Sequence, residues 1–133
     1  MHAAQESFDP DAHVRGTPEP TAPWPVDLIH LRRYTMGDKQ LEAEVLDLFA
    51  GELPKTVAAL KRAATEEAWK MAAHTLKGSA RAVGAWRLAR AATVAERHAE
   101  AVSGDALRAG LLEAIEAAVA EAVAYIDSLK AAA

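Results

Sequence analysis

The stretch Trp69-Lys70-Met71-Ala72-Ala73-His74-Thr75-Leu76-Lys77-Gly78-Ser79-Ala80-Arg81-Ala82-Val83 reads as one amphipathic helix with two unlike faces. On a wheel with about 100° per residue and His74 as zero, Lys70, Lys77, Gly78 and Arg81 fall within about 60°. Trp69, Ala72, Leu76, Ala80 and Val83 fall on the far side, an apolar stripe that needs a core. His74 is thus expected to point outward, with Lys70, Lys77 and Arg81 exposed around it and Gly78 leaving a gap beside the ring.

That grouping has a chemical reading. A neutral imidazole is a nucleophile near pH 7, because its ordinary pKa is about 6.5. Attack on a phosphoryl group brings negative charge next to the ring. Lys77, three residues on, is set to offset that charge, and Lys70 and Arg81 extend the positive field. Gly78 costs about 1 kcal/mol relative to alanine inside a helix, and its return is an unobstructed approach to the ring. Lys70, Met71, Ser79 and Arg81 are the candidate docking residues, a small mixed patch suited to a transient encounter. A lone helical histidine is more often an ordinary surface residue, and the other histidines act as controls. His2 and His13 lie in a proline-rich tail, His30 has no lysine or glycine at the matching offsets, and His98 has no cation three residues on.

The apolar pattern on either side of this helix predicts an all-α chain. Residues 1–24 hold Pro10, Pro18, Pro20 and Pro23 with little apolar content, and read as a flexible leader before a domain over 25–133. Val26 to Leu31 reads as a short helix with Leu28 and Leu31 inward, broken at Thr35-Met36-Gly37-Asp38. A long helix then runs from Lys39 to Ala64, with Leu41, Val45, Leu48, Phe49, Leu53, Val57 and Leu60 inward and Pro54 expected to kink it. Thr65 caps the His74 helix, which ends near Gly84. The next helix spans Ala85 to Val102, with Leu88, Ala91, Ala92, Ala95 and Ala99 inward. Ser103-Gly104-Asp105 separates it from a last helix, Ala106 to Lys130, striped by Leu107, Leu111, Ile115, Val119, Ala122 and Ile126. Short turns between long helices make neighbours antiparallel. The expectation is an antiparallel up-down four-helix bundle with a short extra N-terminal helix and a disordered N-terminal leader. In that arrangement the level of His74 on the following helix falls between Thr93 and Glu96. Glu96 becomes a candidate acceptor for the His74 Nδ1–H, which would leave Nε2 as the nucleophile. The competing reading pairs Glu96 with Arg97 or Lys70 at the surface.

The run His74-Thr75-Leu76-Lys77-Gly78-Ser79-Ala80, with Gly84-Ala85 after it, resembles the signature of histidine-containing phosphotransfer (HPt) domains. The similarity extends from about Val26 to Ala101 and includes Leu48-Phe49, Pro54, Leu60 and the stretch from Leu88 to Glu96. The resemblance implies a helical bundle whose histidine takes a phosphoryl group from a receiver-domain aspartate, or from a histidine kinase, and passes it on. It implies His74 as the phospho-acceptor, with Lys77 and Gly78 in support and an acid or amide at the position of Glu96. The partners it implies are response-regulator receiver domains in a two-component phosphorelay.

Composition narrows the alternatives. The 133-residue chain carries a net charge of −4, with no dense basic block of the kind that binds nucleic acid. It has no cysteine, so thiol chemistry and disulfides are excluded. No apolar run is long enough to span a membrane, and the first residues lack the pattern of a secretory signal. A cytoplasmic monomer is the expectation. No glycine-rich nucleotide site is present, so the chain is read as a carrier and not an enzyme. It should need no cofactor of its own, because the Mg2+ for phosphoryl transfer would come with the receiver's acidic pocket. Two other readings remain in view. One is a helical adaptor of HPt shape that binds a signalling protein without phosphotransfer, although such an adaptor has no use for the intact His74, Lys77 and Gly78. The other is the phospho-acceptor part of a sensor kinase, in which an acidic residue would follow the histidine; Thr75 follows here.

Overall fold

A computed structural model describes residues 24–132, and all regular structure among them is helical. The leader assigned from composition lies outside the described residues, apart from Trp24. That residue stacks on Tyr125, with ring centroids 6.1 Å apart.

Each helix begins and ends where the chain supplies the missing hydrogen-bond partners. Asp27 caps α1 (Leu28–Thr35) by accepting from the His30 amide at 3.1 Å. Met36 and Gly37, both at positive φ, end it. Asp38 caps α2 (Lys39–Arg62) through the Leu41 amide, and the helix continues through Pro54. Thr65 caps α3 (Glu66–Val83) through the Ala68 amide, with Glu66 and Glu67 at its positive end. Two further elements follow Gly84: α4 (Trp86–Arg97) and, after a short 3-10 segment (Ala99–Ser103), α5 (Asp105–Ala132).

The long helices close a ring of contacts. α2 packs on α3, α3 on α4, α4 on α5, and α5 back on α2, while α1 lies against α2 and α3. The shared core is mainly aliphatic, with Leu46, Leu53, Leu60, Leu76, Leu88, Ile115 and Ile126 buried around Trp69. The inward stripes differ from the sequence reading in register more than in kind. On α2 the buried row is Leu46, Phe49, Leu53, Val57 and Leu60, whereas Leu41 and Leu48 are exposed. Two apolar rows run along this helix, and only the neighbours' positions select between them. Leu107 on α5 is exposed for the same reason, and Leu28 and Ala91 are only half-buried. The helix expected to continue to Val102 stops at Arg97, because the Ala95 carbonyl is engaged by the His98 amide and by the Trp69 indole.

The turn between α3 and α4 carries a close backbone approach at Gly84. Gly84 adopts φ 79° and closes α3 in the left-handed conformation, with the Ala85 amide reaching back to the Ala80 carbonyl at 2.8 Å. Its own carbonyl accepts from the Asp27 amide at 2.9 Å. The Asp27 carboxylate takes the Trp86 indole N–H at 3.1 Å as well as capping α1. Burial opposes its charge, but the hydrogen bonds from Trp86 and the His30 amide outweigh burial and hold the carboxyl below its ordinary value. One aspartate therefore ties α1 to the joint that leads from the His74 helix to its neighbour.

A Cβ at Gly84 would meet the Asp27 Cβ at 2.8 Å and the Asp27 carbonyl oxygen at 2.9 Å. Gly84→Ala is expected to lower stability by about 2 kcal/mol or more, since steric conflict adds to the penalty for a left-handed alanine. Urea titration measures this; a loss below about 0.5 kcal/mol would show that the joint yields without cost.

Candidate functional site

The polar face of α3 and the inner edge of α4 meet at His74. The imidazole is two-thirds exposed, at 67 %. Its Nδ1 lies 2.9 Å from Glu96 Oε2, and the other carboxylate oxygen, Oε1, lies 2.7 Å from Lys77 Nζ. An ionised carboxylate only accepts hydrogen bonds, so a neutral His74 in this contact holds its proton on Nδ1. Nε2 then keeps its lone pair. Glu96 is three-quarters covered, and burial by itself raises its pKa. The hydrogen bonds and positive charge of Lys77 and His74 more than reverse that effect, leaving the carboxyl below the ordinary glutamate value.

Lys77 departs from the sequence reading. It was expected among the exposed cations, yet its side chain is only 11 % exposed. On the wheel it sits at the margin of the polar face, about 60° from His74. α4 covers that margin and leaves the opposite one open. The apolar stem of Lys77 is buried along the α3–α4 seam while its ammonium reaches Glu96. The Lys77–Glu96 pair is absent from the sequence reading, which matched Glu96 with His74 or with surface cations. The register that brings Glu96 level with His74 also brings it beside Lys77, so the signal was present in the spacing.

The remaining candidates scatter around this pair. Lys70, Met71 and Gly78 are exposed, and Arg81 is half-buried. Ser79 is half-buried and points about 140° round the helix from His74, so it does not share the exposed face of the ring. A Cβ at Gly78 would meet nothing within 4 Å. Gly51 and Gly110 are equally open in their helices. What distinguishes Gly78 is its position one turn after His74. On the open side of α3, Met71 and Thr75 border a shallow groove completed by Lys55, Thr56 and Ala59 of α2. Among the described residues no three acidic or histidine side chains gather as a metal site, and no helix is long and apolar enough to cross a membrane.

Residues 44–131 match the family of the Hpt domain. The match covers about two thirds of the chain, and the protein belongs to this family, whose role is histidine phosphotransfer in phosphorelays. It starts later than the motif-based resemblance and extends through α5. Neither the curated proteins nor the solved structures yield a match to the chain.

Two expected outcomes follow from this geometry. The lowered Glu96 pKa means that its ion pair stabilises the fold fully above the ordinary glutamate pKa, and that this contribution disappears as pH falls through the lowered value. Glu96→Gln should therefore be less stable than the parent near pH 7, with the difference closing under acid. Denaturant titrations at several pH values check this, and a difference independent of pH contradicts it. Gly78→Gln should raise stability by about 0.5–1 kcal/mol, because glycine is the poorer helix former and open space receives the side chain. The same variant should transfer phosphoryl groups poorly, since a long side chain would stand beside Nε2. Normal transfer with raised stability would assign the partner's approach to another side of the ring.

Proposed function

We propose that this protein carries a phosphoryl group on His74 between the aspartates of response-regulator receiver domains, or from a histidine kinase to a receiver. The observation that carries the reading is the Glu96 carboxylate bridging Lys77 Nζ and His74 Nδ1 beside an exposed ring. In the forward step the Nε2 lone pair attacks phosphorus of the receiver's aspartyl phosphate. The N–P bond forms, the P–O bond to the aspartyl carboxylate breaks, and that carboxylate leaves with the electron pair. The proton stays on Nδ1, so the ring becomes a cation facing Glu96. The reverse attack by a second receiver's carboxylate discharges the carrier.

Each neighbour then has a task. Glu96 orients the ring and offsets its positive charge. Lys77, already ordered by Glu96, supplies positive charge toward the phosphoryl oxygens. Gly78 leaves the approach clear, and Lys70, Met71 and Arg81 border the docking face. In this reading the Mg2+ sits in the receiver's acidic pocket, and the chain works as a cytoplasmic monomer and not as an enzyme. An antiparallel up-down four-helix bundle is the arrangement that suits the ring of helix contacts and the short turns.

His74→Gln tests the proposal. Incubation with a phosphorylated receiver should give the parent an acid-labile, base-stable label and the variant none, with the same helical circular dichroism for both. Full labelling of the variant overturns His74 as the acceptor. Failure of the parent to take label from any receiver or kinase of its own cell would favour the adaptor reading instead.

A further inference from the structure

We infer that Trp69 is a positioning residue for this site, its indole N–H holding the Ala95 carbonyl and thereby setting Glu96 against His74. The inference rests on the phosphotransfer reading above and names a part of its machinery outside the motif. Trp69 is fully buried on α3, five residues before His74. Its Nε1 donates to the Ala95 carbonyl across the α3–α4 seam at 2.7 Å. Ala95 is the residue immediately before Glu96.

The rest of the seam explains why one such bond matters. Besides Trp69, Leu76, Val83 and Leu88, the side chains that α3 and α4 bury are largely alanines, among them Ala73, Ala80, Ala89, Ala92 and Ala95. Methyl groups packed on methyl groups bring helices close but carry no direction, and they resist sliding along the axis poorly. The contacts of Glu96 at 2.7 and 2.9 Å need a register that holds to within a few tenths of an ångström. The indole bond is directional and buried, and it acts one residue from the carboxylate. The Ala95 carbonyl also accepts from the His98 amide at 3.1 Å, which ends α4 and begins the 3-10 segment. The indole thus grips α4 at its last regular turn, where the end of the helix could otherwise drift.

Trp69 is itself held from α5. The Arg108 guanidinium lies 5.3 Å from the centre of its ring, and Arg108 donates to the carbonyls of Lys61 at 2.6 Å and Val102 at 3.0 Å. The ring is confined between α4 and a cation that is anchored on two other segments.

The test reads the His74 ring by 15N NMR in the unphosphorylated full-length protein, together with phosphoryl transfer from a labelled receiver. Glu96→Ala removes the Nδ1 acceptor and defines the change in Nδ1–H to Nε2–H ratio that follows. Trp69→Phe keeps an aromatic ring but deletes the N–H. It should move that ratio in the same direction and slow transfer roughly three- to ten-fold, the worth of one hydrogen bond. Arg108→Gln, which leaves the indole in place but frees its rear face, should shift the ratio the same way by less, and it carries the test if Trp69→Phe does not fold. Ile115→Val, a core truncation on α5, should lower thermal stability without moving ratio or rate. Parent-like ring signals and transfer in Trp69→Phe overturn the inference, as does an equal shift in Ile115→Val. A response to Glu96→Ala without one to Trp69→Phe removes the positioning role alone. No response to Glu96→Ala removes the Glu96–His74 reading as well.

Discussion

One carboxylate, that of Glu96, joins the two groups on which the proposed phosphotransfer depends. Its oxygens are divided between an ammonium and an imidazole nitrogen, so Lys77 and His74 are ordered relative to each other through a third residue on another helix. The cost of partly burying Glu96 is met by two hydrogen bonds and two positive or potentially positive partners. Removing either partner would leave the carboxylate incompletely satisfied. Such an arrangement resists rearrangement of the lysine or the ring, and preorganisation of this kind is how a small site without a pocket can favour phosphoryl transfer.

The helices make this arrangement possible by meeting closely. Alanine on both sides of the α3–α4 seam lets the backbones approach, so that a glutamate from one helix spans to a lysine and a histidine on the other. Close approach alone leaves the relative height of the helices loosely defined. At one end of α3 the left-handed Gly84 joint and the Asp27 clamp set how α4 departs. Toward the other end, the Trp69 indole meets the Ala95 carbonyl. Between these fixed points lies His74, on the exposed face of α3 beside the seam.

Much of this was legible in the chain. Periodicity located the helices, and Asp38 and Thr65 stand as N-caps because short polar side chains satisfy amides that have no partner in the first turn, whereas Asp27, read as part of the first helix, caps it instead. Gly84 was readable as a terminator because few other residues adopt positive φ without penalty. The relation of Glu96 to His74 came from counting residues on either side of that turn, and the count works because two helices of equal rise run back along each other. The apolar rows were less determinate. Leu41 and Leu48 on α2 and Leu107 on α5 carry the same hydrophobic signal as buried leucines, yet they face outward. A helix with two apolar rows does not say which one a neighbour will cover.

The sequence by itself determined that the chain is helical, where its helices begin and end to within a few residues apart from the end of α4, and that His74, Lys77 and Gly78 share one face of their helix. It did so because local hydrogen-bonding rules and a period of 3.6 residues act within a single helix. Tertiary structure alone decided which margin of that face would be covered. By laying α4 along the Lys77 side it turned an expected surface cation into a buried ion-pair partner, and it ended α4 early by sending an indole from α3 to the Ala95 carbonyl. Both outcomes depend on the distance between groups far apart in the chain, and distance across a seam is a property of packed helices that no local pattern encodes.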